Sequence, residues 1–112
     1  MRILVVEDEA LVAMLLEDMV ADAGHELAFT AGTVPEALAY VNEHGGDFDY
    51  AVLDVNLGGQ ASYPIAEALA AAGKPFAFST GYGAGGLPEV WRSRPILSKP
   101  FGSADVERVL NG

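Results

Sequence analysis

Short apolar runs alternate with helix-patterned segments five times along this chain, and that alternation constrains its fold more than any other feature. Residues 2–6, RILVV, lack polar alternation, as expected of a strand buried on both faces. From Glu9 to Ala23 the period changes. Leu11, Leu15, Met19 and Ala23 fall on one line, with Val12, Leu16 and Val20 beside it. This predicts a helix with a wide apolar face, and Gly24 is placed to end it in a left-handed conformation.

The pattern then repeats. Residues 26–31 read as a second strand. Thr33-Val34-Pro35-Glu36 is a capping box, and the helix it opens carries Val34, Ala37, Leu38 and Val41 on one face until Gly45-Gly46. Residues 50–53 form a third strand, 54–59 a loop, and 62–72 an alanine-rich helix closed by Gly73. The fourth and fifth strands fall at 75–79 and 96–98, and Ser103 is expected to cap a last helix holding Val106, Val109 and Leu110. Between those two strands, four glycines in residues 81–86 leave room only for a short helix around 89–92, so the fourth helix is expected to be short or mobile. Five βα units imply right-handed crossovers and a doubly wound parallel sheet covered by helices on both faces. No linker or repeat divides the 112 residues, so a single domain over 1–112 is expected.

Composition removes several functions. A net charge of −10 with six scattered basic residues gives no surface for a phosphate backbone, so direct nucleic-acid binding is excluded. The absence of cysteine removes disulfides, zinc-thiolate sites and thiol catalysis. No apolar run approaches the roughly 20 residues that span a bilayer. The N-terminal run reaches Glu7-Asp8 too soon for a signal peptide, and a cytoplasmic protein without membrane contact is expected.

In an open parallel sheet, function gathers beyond the carboxyl ends of the strands. Glu7 and Asp8 follow the first strand, Asp54 and Asn56 the third, Thr80 the fourth and Lys99-Pro100 the fifth. These residues are distant in sequence but fall at one edge. Three carboxylates meeting there repel unless a cation intervenes, and an all-oxygen donor set suits a hard ion such as Mg²⁺. Lys99 adds a point charge and Thr80 a hydroxyl donor. A carboxylate nucleophile, a divalent ion, a lysine and a hydroxyl are the parts that phosphoryl transfer requires. Asp47 and Asp49 lie at the opposite edge as loop acids, and His25 and His44 lie away from the site.

Ile3-Leu4-Val5-Val6-Glu7-Asp8-Glu9, Leu53-Asp54-Val55-Asn56-Leu57 and Lys99-Pro100-Phe101 resemble the three signature segments of the response-regulator receiver family, and the likeness covers the whole chain. Phe78-Ser79-Thr80-Gly81-Tyr82 is similar to the receiver subgroup nicknamed FATGUY, in which Thr-Gly-Tyr follows the fourth strand. The resemblance implies a flavodoxin-like sheet of order 2-1-3-4-5. It implies that Asp54 is the phosphoacceptor and that Asp8, Asp54 and the main-chain carbonyl of Asn56 hold Mg²⁺ (or Mn²⁺), with Glu7 assisting through water. It implies that Thr80 and Lys99 bind the phosphoryl oxygens. The phosphodonor would be a histidine kinase or histidine phosphotransfer protein, and the output a change in protein–protein contacts with a downstream target. Such a chain is a switch and not an enzyme beyond its own phosphorylation and dephosphorylation.

Two positions bear on how such a switch would work. Many receivers carry an aromatic residue three positions before the lysine, where this chain has Ile96, and Tyr82 is the candidate to replace it. Met14, on the polar half of the first helix beside Ala10, Glu17 and Asp18, is a candidate contact for the phosphodonor. Competing readings fit less well. An aspartyl-phosphate hydrolase of similar sheet would want Asp, not Asn56, two residues past the nucleophile, together with a cap. A flavodoxin-like cofactor binder would not place Glu7-Asp8-Glu9 where a phosphate must sit. A pseudo-receiver that binds partners without the chemistry is the remaining alternative.

Overall fold

The computed structural model describes residues 1–111, so Gly112 of the expected 1–112 unit lies outside the described residues. Five strands, β1 (Arg2–Val6), β2 (Glu26–Ala31), β3 (Tyr50–Asp54), β4 (Phe76–Thr80) and β5 (Ile96–Ser98), form one parallel sheet of order β2-β1-β3-β4-β5. Four α-helices cover it: α1 (Ala10–Asp22), α2 (Val34–Glu43), α3 (Tyr63–Ala71) and α4 (Ser103–Asn111). This is the expected α/β flavodoxin-like architecture. No helix among the described residues is long and apolar enough to cross a membrane.

Strand alternation sorts the apolar residues into two cores, one on each face of the sheet. Leu4, Val6, Leu53, Phe76 and Phe78 pack with Ala37 and Val41 of α2 and with Ile65, Ala66 and Leu69 of α3. Ile3, Val5, Val52, Ala77 and Leu97 pack with Leu16 and Val20 of α1 and with Val106 and Leu110 of α4. Burying each such Leu, Ile, Val or Phe side chain is worth about 1.5–3 kcal/mol, which is why continuous apolar runs suffice to set the sheet.

Helix ends follow local chemistry. Thr33 Oγ1 accepts from the Glu36 amide at 3.2 Å, while the Glu36 carboxylate accepts from the Gly32 amide at 2.7 Å, one residue earlier than a strict capping box would have it. Gly24, just past α1, has φ +89°, as expected of its left-handed role. At α4 the cap differs from expectation. Ser103 is already helical, and the Gly102 carbonyl accepts from the amides of Asp105 and Val106. The Gly102 amide in turn donates to Asp105 Oδ2 at 2.9 Å.

One further difference matters. In α1 the buried residues are Ala13, Leu16 and Val20, whereas Leu11, Met14 and Leu15 stand exposed. The line through Leu16 and Val20 faces the sheet. The line through Leu15 and Met19 instead borders a 330 Å³ cavity shared with Lys99, Pro100 and Phe101. Between β4 and β5 the short fourth helix expected around 89–92 is a 3₁₀ turn at Glu89–Trp91, preceded by another at Ala84–Gly86. The segment is pinned by Leu87 and Trp91, both buried, with Trp91 edge-on to Phe76 and Phe78 at 5.9 and 6.1 Å between ring centroids. Arg92 Nε donates to the Leu87 carbonyl at 2.9 Å and closes the turn.

Candidate functional site

The carboxyl ends of β1, β3 and β5 bring Glu7, Asp8, Asp54 and Lys99 together. Glu7, Asp8 and Asp54 each offer a carboxylate oxygen, all within 4.8 Å of one another. Glu7 and Asp54 are buried and Asp8 is exposed. Lys99 Nζ lies 3.1 Å from Glu7 Oε1 and 3.4 Å from Asp54 Oδ2, so one ammonium bridges the two buried acids.

Burial raises the Glu7 pKa, and the neighbouring charge of Asp54 adds to it; the Glu9 amide, donating to Glu7 Oε2 at 3.1 Å, and the Lys99 hydrogen bond work the other way. Burial opposes the Lys99 ammonium. Its hydrogen bond to Glu7 and the charge of Asp54 outweigh that cost and hold its pKa above the ordinary value. The donor set around this cluster is all oxygen, which fits a hard divalent cation of the Mg²⁺ kind.

The loop after β3 holds Asp8 in place. Asn56–Leu57 and Gln60–Ala61 pair as a two-residue antiparallel ladder across Gly58-Gly59. Both glycines have positive φ, +57° and +89°, the geometry a two-residue hairpin requires. The Gly58 amide donates to Asp8 Oδ2 at 3.0 Å, and the Gly59 amide donates to Asn56 Oδ1 at 3.0 Å. The Asn56 side chain is thereby turned into the hairpin. That Gly58 positions Asp8 was not read from the sequence, although the Gly-Gly pair is the signal that marks such a hairpin.

Thr80 is not in the loop but is the last residue of β4, buried and in register with Ser98. Its hydroxyl accepts from the Tyr82 amide at 3.1 Å. The Tyr82 ring points away and is 88% exposed. Met14 stands on the outer flank of α1, 59% exposed. Ile96 sits opposite Phe78 and packs partly buried on the α2–α3 side of the sheet. The Lys99–Pro100 peptide is cis. Asp47 and Asp49 lie at the far edge, where Asp49 Oδ2 accepts from the Arg2 amide and Asp47 Oδ2 pairs with His44.

No protein-family profile and no curated protein matches the sequence. Solved structures do. SdrG from Sphingomonas melonis Fr1 is 46% identical over 98% of this chain and 92% of its own, with a TM-score of 0.85. The BeF₃-activated conformation of SdrG, from Pseudomonas melonis Fr1, is 44% identical over the same shares, with a TM-score of 0.83. The receiver (REC) domain of the response regulator PhyR from Erythrobacter litoralis is 30% identical over 98% of this chain and 86% of its own, with a TM-score of 0.82. With the strand order and the acidic strand-end cluster in view, the chain belongs to the response-regulator receiver domains. A receiver domain is a signalling module.

Proposed function

We propose that this chain, over residues 1–112, is a phosphorylation-competent receiver that takes a phosphoryl group onto Asp54. The observation that carries the reading is the Lys99 ammonium held between Glu7 and Asp54 beside Asp8, at the strand ends where a receiver does its chemistry. Asp8, Asp54 and the main-chain carbonyl of Asn56 would hold Mg²⁺ or Mn²⁺, with Glu7 assisting through water. When bound, the ion supplies neutralising charge to the transferring group.

The protein's own groups do the rest. An Asp54 carboxylate oxygen forms the new O–P bond as the P–N bond to the donor's imidazole breaks, leaving the electron pair on the imidazole nitrogen. The donor is a histidine kinase or a histidine phosphotransfer protein. Lys99 supplies a mobile positive charge for a phosphoryl oxygen, and the Thr80 hydroxyl, now held only by the Tyr82 amide, supplies a hydrogen bond. Taking Thr80 from that amide would draw on residues 81–82, and this is how Tyr82 would register phosphorylation in a chain whose fifth strand offers Ile96 and no aromatic ring. Phe78-Ser79-Thr80-Gly81-Tyr82 supports membership of the Thr-Gly-Tyr (FATGUY) subgroup. Dephosphorylation reverses the bookkeeping of bonds, with water attacking phosphorus and Asp54 leaving as carboxylate. The protein works in the cytoplasm on a protein target, without nucleic-acid or membrane contact of its own.

The test is a Mg²⁺-dependent phospho-adduct seen by intact mass, using acetyl phosphate and then phosphorylated kinase. The adduct is expected on the wild type and absent from Asp54→Asn. No adduct from either donor would make the chain a pseudo-receiver.

A further inference from the structure

Ser79 is 2% exposed, and its hydroxyl has no hydrogen-bond partner among the described residues. It precedes Thr80 but faces the other way. Alternation along β4 puts Phe76, Phe78 and Thr80 on the α2–α3 side and Ala77 and Ser79 on the α1–α4 side. The same rule carries Val5 on to Glu7, Val52 on to Asp54 and Leu97 on to Lys99. With the sheet order, four polar residues then stand in one row: Glu7, Asp54, Ser79, Lys99.

Ser79 and Asp54 are register partners on adjacent strands. Lys99, just past β5, reaches Asp54 at 3.4 Å and Glu7 at 3.1 Å, and to do so its side chain must cross β4 on the face where Ser79 lies. That crossing accounts for a small residue at 79. It does not account for serine, because alanine, as at Ala77, would leave the same room without burying an unpartnered hydroxyl, which is a net cost to the fold.

We propose that Ser79 is a positioning residue for the phosphorylated state, its hydroxyl donating to the Asp54 carboxyl oxygen that Lys99 leaves. This rests on the phosphoacceptor reading above. In the structure, Lys99 serves Asp54 Oδ2. Once Lys99 is drawn onto a phosphoryl oxygen, the Asp54 oxygen that does not carry phosphorus loses its ammonium partner. The unused donor next to it in the row is Ser79. The bond exists only in the phosphorylated form and is given up as Lys99 returns to the departing carboxylate, so it lowers the acyl phosphate more than the transition state for its hydrolysis and lengthens its life.

The experiment compares wild type and Ser79→Ala by two readouts. One is the decay of the phospho-adduct after loading with acetyl phosphate and Mg²⁺. The other is the melting temperature with and without beryllofluoride and Mg²⁺. Ser79→Ala is expected to melt at or above the wild-type temperature when unmodified, to gain less from beryllofluoride, and to lose phosphate about 2- to 10-fold faster, the worth of one hydrogen bond. A Ser79→Ala chain with wild-type lifetime and wild-type beryllofluoride shift overturns the proposal alone. A wild type that accepts neither phosphate nor beryllofluoride overturns the functional reading, and this proposal with it.

Discussion

Lys99 and Glu7, 92 residues apart in sequence, meet at 3.1 Å although the sheet order sets β3 and β4 between their strands. The contact ties the first strand to the last across the face of the sheet. It also leaves one cation to serve two buried acids, with exposed Asp8 close by.

That imbalance gives the first prediction. In metal-free buffer Asp54→Asn should melt higher than wild type by about 4 °C, equivalent to about 1 kcal/mol for a domain near this size, because two repulsions are removed for one attraction. Mg²⁺ should then raise the wild-type melting temperature, by about 1.4 kcal/mol equivalent at tenfold excess over Kd. It should raise that of Asp54→Asn or Asp8→Asn far less. Thermal denaturation with and without Mg²⁺ measures both effects.

Met14 yields a prediction about partners. Charging an exposed residue on the outer flank of α1 should leave the buried site intact. Met14→Asp is therefore expected to accept phosphate from acetyl phosphate at the wild-type rate and from the kinase at least fivefold more slowly, as for the loss of about 1 kcal/mol at an interface. Equal rates from both donors would remove Met14 from the contact surface.

Tyr50 ties stability to alkaline pH. Burial raises its pKa above the ordinary tyrosine value, with Arg94 pulling it partly back. The folded chain thus holds the phenol proton to higher pH than the unfolded chain does, so stability falls as pH rises above about 10. Tyr50→Phe lacks that proton. Urea titrations at pH 7 and between pH 10 and 11 should show a shallower alkaline loss for the variant than for wild type.

Thr33 tests the local reading of α2. Losing the bond that its hydroxyl accepts from the Glu36 amide should cost about 1 kcal/mol in Thr33→Ala, with the fold unchanged. Denaturant midpoints would show it, and an unchanged midpoint would mean that the cap contributes nothing here.

The strands and the strand-end acids were legible because a buried parallel strand is apolar along most of its length and carries its polar residues at or just beyond its carboxyl end, as Asp54 and Thr80 do. The capping box at Thr33-Glu36 and the turn at Gly24 were legible for the same local reasons. The outer side of α1 was not. Periodicity marks both the Leu15–Met19 and the Leu16–Val20 lines as apolar but does not say which meets the sheet, and small Ala13 is what lets the second line approach. In the link between β4 and β5 the short helical turn near 89–92 was legible, but its two anchors, Leu87 and Trp91, were not, because they are set by tertiary packing alone. Ser79 escaped notice because a serine in a strand reads the same whichever face it takes.

The packing of Trp91 makes the molecule its own optical gauge. It is the single tryptophan of the chain, and its indole lies edge-on to Phe78, two residues before Thr80 on the same strand. Were Asp54 phosphorylated as proposed, a shift of the end of β4 with Thr80 would move the strand against which that indole rests. Emission wavelength and quantum yield of Trp91 would then report that shift without an attached dye.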